Sequence, residues 1–94
     1  MEITKCLTIS TAHVAKETMK ELMCDSHTNN FDLIVYEKGK YGVWIYIHEE
    51  IETELNALPE DLFRCISLAI ENDCKWLCLD CDGEKLDSFT VYDW

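Results

Sequence analysis

A chain of 94 residues with 48% hydrophobic and 29% charged side chains has the length of one ordinary domain and is too short for two. Its 19 Asp and Glu against 8 Lys and Arg leave a formal charge of −11, which excludes broad neutralisation of a DNA or RNA backbone and docking on an anionic membrane. An aromatic content of 11% excludes a disordered chain, and no apolar run approaches the roughly 20 residues of a membrane span.

From the N-terminus, Ile3 to Ser10 sets Ile3, Leu7 and Ile9 against Thr4, Cys6 and Thr8, which predicts a strand with one face on the core. Ala15 to Cys24 follows as an amphipathic helix, its apolar residues Ala15, Met19, Leu22 and Met23 recurring at spacings of three and four. Asp25 to Asn30 is a loop of turn-forming residues. Asp32–Glu37 and Tyr41–His48 are rich in β-branched and aromatic residues, and Lys38-Gly39-Lys40 between them makes a hairpin.

The acid-rich run from Glu49 to Leu58 fits a short helix or an acidic loop. Pro59 then opens a second helix, where its missing N–H costs nothing, and Glu60 and Asp61 place negative charge at the positive end of the helix dipole. That helix runs to about Asn72 and is apolar over more than half its circumference through Leu62, Phe63, Ile66, Leu68, Ala69 and Ile70. Lys75 to Asp80 is a further strand, Asp82-Gly83 a turn, and Ser88 to Asp93 an alternating last strand.

The order strand, helix, strand, strand, helix, strand gives one α+β domain over residues 1–94. Its expected plan is ferredoxin-like, a split βαβ (β-α-β-β-α-β), with an extra C-terminal strand. Period-two alternation then sends Leu7, Ile9, Val43, Ile45, Leu77 and Leu79 toward the helices. It leaves Cys6, Thr8, Trp44, Tyr46, His48, Trp76 and Cys78 on the opposite face. Trp44, Tyr46 and Trp76 are the interface candidates on that face. They resemble the base-stacking rings of RNA-recognition modules, but no Lys or Arg interleaves them to hold phosphate. A cover by the segment ending in Tyr92 and Trp94, or a homodimer contact, suits the composition better.

Six cysteines raise the questions of disulfides, metal and thiol chemistry. The opening Met-Glu-Ile-Thr-Lys has no basic or apolar leader region, so a reducing, cytoplasmic setting is expected. Cys6, Cys78 and Cys81 with His48 form the one arguable metal or thiol set. Its spacing is poor for zinc, which favours paired knuckles, and the expectation is no cofactor. No glycine-rich phosphate loop exists, and neither His13 nor His48 has the spacing of a nucleophile system, so no catalytic residue is assigned.

The remaining feature is clustered acid: Glu49, Glu50, Glu52 and Glu54, then Asp80, Asp82, Glu84 and Asp87. Carboxylates arrayed like phosphates would compete with DNA for a basic protein.

Five stretches carry a resemblance: Cys6-Leu-Thr-Ile-Ser-Thr-Ala-His-Val14, Tyr41-Gly-Val-Trp-Ile-Tyr-Ile47, Leu58-Pro-Glu-Asp-Leu62, Cys74-Lys-Trp-Leu-Cys-Leu-Asp-Cys-Asp-Gly83 and Val91-Tyr-Asp-Trp94. With these the chain resembles a family of short uncharacterised bacterial proteins from plasmids, phages and conjugative elements. The resemblance implies a cytosolic accessory protein of a mobile element and brings no activity or catalytic residue with it. The expected function is therefore a non-enzymatic acidic module that binds a basic protein. An inhibitor of a host nucleic-acid-processing or defence complex is the sharpest form of that expectation. A metal- or thiol-dependent protein and a structural homodimer subunit are the alternatives.

Overall fold

A computed structural model describes residues 1–23, 33–48, 51 and 55–92. Strand β1 (Cys6–Ser10) passes through a 3-10 turn (Thr11–His13) into helix α1 (Lys16–Leu22). The hairpin strands β2 (Val35–Glu37) and β3 (Gly42–Tyr46) follow, then a 3-10 turn (Leu55–Ala57), helix α2 (Glu60–Glu71) and strand β4 (Trp76–Asp80). The hairpin turn has Gly39 at φ +54, a left-handed conformation that suits glycine. It is closed by the Lys38 N–H donating to the Gly42 carbonyl at 2.9 Å.

The strands form one mixed sheet in the order β1-β4-β3-β2. β1 runs parallel to β4, while the β4–β3 and β3–β2 pairs are antiparallel. The α+β class is as expected, but the ferredoxin-like order is not: that plan has β1 inside and β4 at the edge, and here the two have exchanged places. The apolar run explains the exchange. β4 has three consecutive buried residues, Leu77, Cys78 and Leu79, which suit a strand flanked on both sides, whereas Cys6 and Thr8 of β1 are exposed.

Residues 88–92 also depart from expectation, since they form no strand. β1 ends at Ser10 and the chain turns at once into a 3-10 helix, so an alternating segment there has no extended partner among the described residues. The segment is instead a strap. The Ser10 N–H donates to the Glu84 carbonyl at 2.9 Å and the Tyr92 N–H to the Ala12 carbonyl at 2.7 Å. His13, buried, accepts the Leu86 N–H on Nε2 at 2.8 Å and has its Nδ1 2.9 Å from the Thr90 carbonyl. Because a carbonyl can only accept, Nδ1 carries the proton. Phe89 meets the imidazole edge-on at 5.4 Å and packs with Leu86 against the core.

The core lies on one face of the sheet. Ile9, Val43, Ile45, Leu77 and Leu79 meet Met19 and Leu22 of α1 and the stripe Leu62, Cys65, Ile66 and Ala69 of α2. Those four α2 positions are spaced three and four apart, as one face of a helix requires. Asp61, in the first turn of α2, is buried for a specific reason: its Oδ2 accepts the Ala15 N–H at 2.7 Å and so ties together the starts of the two helices. At the far end of α2 the chain turns through Asp73 at φ +57, with the Cys74 N–H donating to the Ala69 carbonyl at 2.9 Å.

Of the segment from Glu49 to Leu58, Ile51 is buried and Leu55–Ala57 is a 3-10 turn. Glu49, Glu50, Glu52 and Glu54 lie outside the described residues, as do the loop 25–30, Cys24 and Trp94. Among the described residues no helix is long and apolar enough to cross a membrane.

At Gly42 the backbone of β4 fills the space a side chain would need: a Cβ there would lie 1.7 Å from the Leu79 carbonyl oxygen. Backbone cannot yield as a side chain can. Gly42→Ala is therefore expected to cost about 3 kcal/mol of unfolding free energy, read from the urea midpoint, and a loss within experimental error would contradict this packing.

Candidate functional site

With both helices on one face, the other face of the sheet carries a set of rings. Alternation along each strand puts Tyr36, then Trp44 and Tyr46, then Trp76 and Cys78, then Cys6 and Thr8 on that face. Cross-strand register aligns them in two rows, Tyr36–Trp44–Cys78–Thr8 and Tyr46–Trp76–Cys6. Trp76 is the hub: Tyr46 lies 5.2 Å from it, Tyr36 6.0 Å, and Trp44 6.4 Å with its plane at 87°, an edge-to-face pair. Tyr36 is 56% exposed, and Trp44, Tyr46 and Trp76 are half-buried. Tyr36, Trp44 and Trp76 line a shallow, almost wholly apolar notch of about 210 Å³.

Beside the notch the face becomes polar. Lys38 reaches over the sheet to place its Nζ 2.6 Å from Asp80 Oδ2, 3.5 Å from Cys78 Sγ and 4.9 Å from the centre of the Trp44 ring. Gly42, the residue paired with Asp80, contributes no side chain to this end of the face. The other oxygen of Asp80 accepts the Asp82 N–H at 2.8 Å. Thr8, Lys38, Tyr41, Asp80, Asp82 and Gly83 surround an open basin of about 390 Å³ that shares Lys38 with the Trp44 wall.

These contacts set the charge states. The hydrogen bond from Lys38, with the Asp82 N–H second, holds the Asp80 carboxyl below the ordinary aspartate value, and the same bond to Asp80 raises the Lys38 ammonium. Burial pushes the Cys78 thiol up, and the adjacent Lys38 ammonium opposes this without overcoming it. Burial, then the charge of Asp61, pushes the Cys65 thiol up to about 12. Neither cysteine is an activated thiolate.

The aromatic trio Trp44, Tyr46 and Trp76 is thus brought together as alternation implies, with Tyr36 as a fourth ring. The hairpin register contained that signal, since counting outward from the turn sets Tyr36 opposite Trp44. Up to Tyr92, the segment expected to cover this face runs instead along the 3-10 turn at His13, and Trp94 lies outside the described residues. In the second acidic run Asp80 is half-buried, while Asp82, Glu84 and Asp87 are exposed along the turn and strap that follow β4.

The set Cys6, Cys78, Cys81 and His48 does not converge. Among the described residues, the one trio with potential ligand atoms within 4.8 Å of one another is Asp80, Cys81 and Asp82. Asp80 is already engaged by Lys38 and the Asp82 N–H. His48 lines a separate cavity of about 230 Å³ with Ile47, Ile51, Ile70, Asp73, Cys74 and Lys75, and His13 is enclosed by the strap. The described cysteines Cys6, Cys65, Cys74, Cys78 and Cys81 are all free.

A family model described as the C-terminal domain of a family of unknown function, DUF5983, matches residues 6–94. The chain belongs to the DUF5983 family. This match begins at β1 and extends past the strap, so the aromatic face, the Lys38–Asp80 pair and the strap all lie within the DUF5983 region. No curated protein and no solved structure matches the chain.

Two measurements follow from these contacts. Because the folded state holds Asp80 below its ordinary value of 3.8, the ion pair's stabilisation is full above that pH and is lost as pH falls through the lower folded value. The urea midpoints of the wild type and Asp80→Asn should differ at neutral pH and converge as the pH falls below the ordinary aspartate value of 3.8. Alkylation of the folded protein near pH 8, mapped by peptide mass, should label the exposed Cys6 and Cys81 and spare Cys65, since only the thiolate reacts. Labelling of Cys65 at the rate of Cys6 would contradict its burial.

Proposed function

We propose that this chain is a non-enzymatic protein-binding module and that it docks a basic protein on the ring-bearing face of its sheet. The observation that carries this reading is the notch of Tyr36, Trp44 and Trp76 lying beside the basin that holds Asp80 and Asp82. Rings left half-exposed on a sheet face that no described segment covers supply contact area, and carboxylates at the margin supply charge complementarity.

Charge selects the occupant. A nucleic acid would bring phosphates to a chain of net charge −11, and a second copy would bring another −11. A protein surface rich in Lys and Arg meets no such repulsion. Its most apt form is the DNA-binding groove of a nucleic-acid-processing or defence protein, with Asp82, Glu84 and Asp87 standing in for phosphates and Glu49, Glu50, Glu52 and Glu54 extending the acidic array in sequence. An accessory protein of a bacterial mobile element would have use for such an inhibitor.

The test begins with capture from bacterial lysate on the immobilised chain at low salt. The captured protein is then purified, and its affinity is measured for the wild type and for Asp82→Lys/Glu84→Lys/Asp87→Lys, with duplex DNA as competitor. Reversing three charges should weaken binding by tenfold or more, on the order expected for several rim charges, and DNA should compete. Equal affinity of the variant, or no salt-sensitive capture at all, would overturn the reading.

A further inference from the structure

The chemistry of the notch points to which side chain of a basic partner it takes. Trp44 and Trp76 stand nearly perpendicular, 6.4 Å apart at 87°, and Tyr36 closes the third side, tilted 50° from Trp76. The resulting pocket of about 210 Å³ is walled by rings and has almost no polar lining. An ammonium group is strongly hydrated and finds no acceptor on the rings themselves. A guanidinium is planar and weakly hydrated, stacks on ring faces, and keeps its edge donors free for a carboxylate.

The protein's own cation already uses one wall. Lys38 lies 4.9 Å from the Trp44 ring while its ammonium is 2.6 Å from Asp80, which combines a ring and a carboxylate in holding a single cation. Its placement also decides which carboxylate stays open: Asp80 is engaged by Lys38 and by the Asp82 N–H, whereas Asp82 is exposed on the same basin. We infer that the notch of Tyr36, Trp44 and Trp76 is an arginine seat, the guanidinium of a basic partner stacking on the ring surface that Lys38 leaves open, with the Asp82 carboxylate on the adjoining basin. This deepens the function proposed above and rests on it. A partner reading by charge alone would take Lys and Arg equally, and this seat does not.

The experiment measures fluorescence anisotropy of labelled arginine and lysine homopeptides of equal length, titrated with the full chain at two salt concentrations, and of a labelled single-stranded RNA in parallel. The arginine peptide should bind about tenfold more tightly than the lysine peptide, the scale of one desolvated cation–π contact. Tyr36→Ala, which alters an exposed ring, should bring the arginine peptide to the lysine level and leave the lysine peptide unchanged. Trp44→Phe, which keeps a ring and the fold, should fall between. Equal, salt-sensitive binding of both peptides, or an arginine preference that survives Tyr36→Ala, would overturn the arginine seat while the basic-partner reading stands. Failure of both peptides to bind at low salt would overturn both, as would RNA binding that Tyr36→Ala abolishes.

Discussion

The central placement of β4 is the constraint on which the rest of the structure depends. Trp76–Asp80 is hydrogen-bonded along both edges, to β1 in parallel and to β3 antiparallel, and its side chains serve opposite ends on its two faces. Leu77 and Leu79 are buried under the helices, and each fully buried leucine contributes roughly 1.5–3 kcal/mol. Trp76, Cys78 and Asp80 face the other way and become the hub of the rings, the buried contact of Lys38 and the partner of its ammonium. A one-residue slip in either pairing would put the leucines into water and the rings into the core, so the face and the core are specified together.

The same strand accounts for the polar end of the face. Gly42 carries no side chain between Lys38 and Asp80, and the long Lys38 side chain crosses it to reach the carboxylate. The ion pair is partly shielded, with the side chain of Asp80 14% exposed and that of Lys38 32% exposed, so it is less screened than an ordinary surface pair. Its structural effect is to hold the ammonium against Trp44 and to leave Asp82 as the open acid of the basin.

Local patterns in the sequence made the elements legible. Pro59 followed by two acids marked the start of α2, Gly39 between apolar alternations marked the hairpin, and period two marked both faces of the sheet. The strand order was not legible, because alternation says which way a side chain points and nothing about which strand lies beside it. The three consecutive buried residues of β4 were a usable clue to its central position. Lys38 resembles an ordinary turn residue in the sequence, and only the sheet order β4-β3-β2 brings its side chain to Asp80. Asp61 looked like a dipole-complementing acid at a helix start, yet its bond to Ala15 joins positions 46 apart in sequence. The strap was misread as a strand for the same kind of reason: Ser88 to Tyr92 has the alternation, and only the three-dimensional path of the chain past Ser10 shows that no extended partner awaits it among the described residues.

The charge and the rings are best understood together. Four aromatic side chains on one face form the kind of patch that draws soluble proteins into self-association. A chain at −11 opposes that outcome, because each approaching copy raises the repulsion while the rings stay half-exposed. The core does not require this charge, since the only buried carboxylate among the described residues is Asp61, which is held by a backbone N–H. The acidic surface is therefore free to act on what approaches the sheet. In the function proposed above, it turns away phosphates, lipid headgroups and further copies and favours a cationic surface, which the rings then hold by contact. In the reading proposed here, a solubility coat and a selective interface are one arrangement seen from two distances, since long-range charge governs encounter and the notch governs residence.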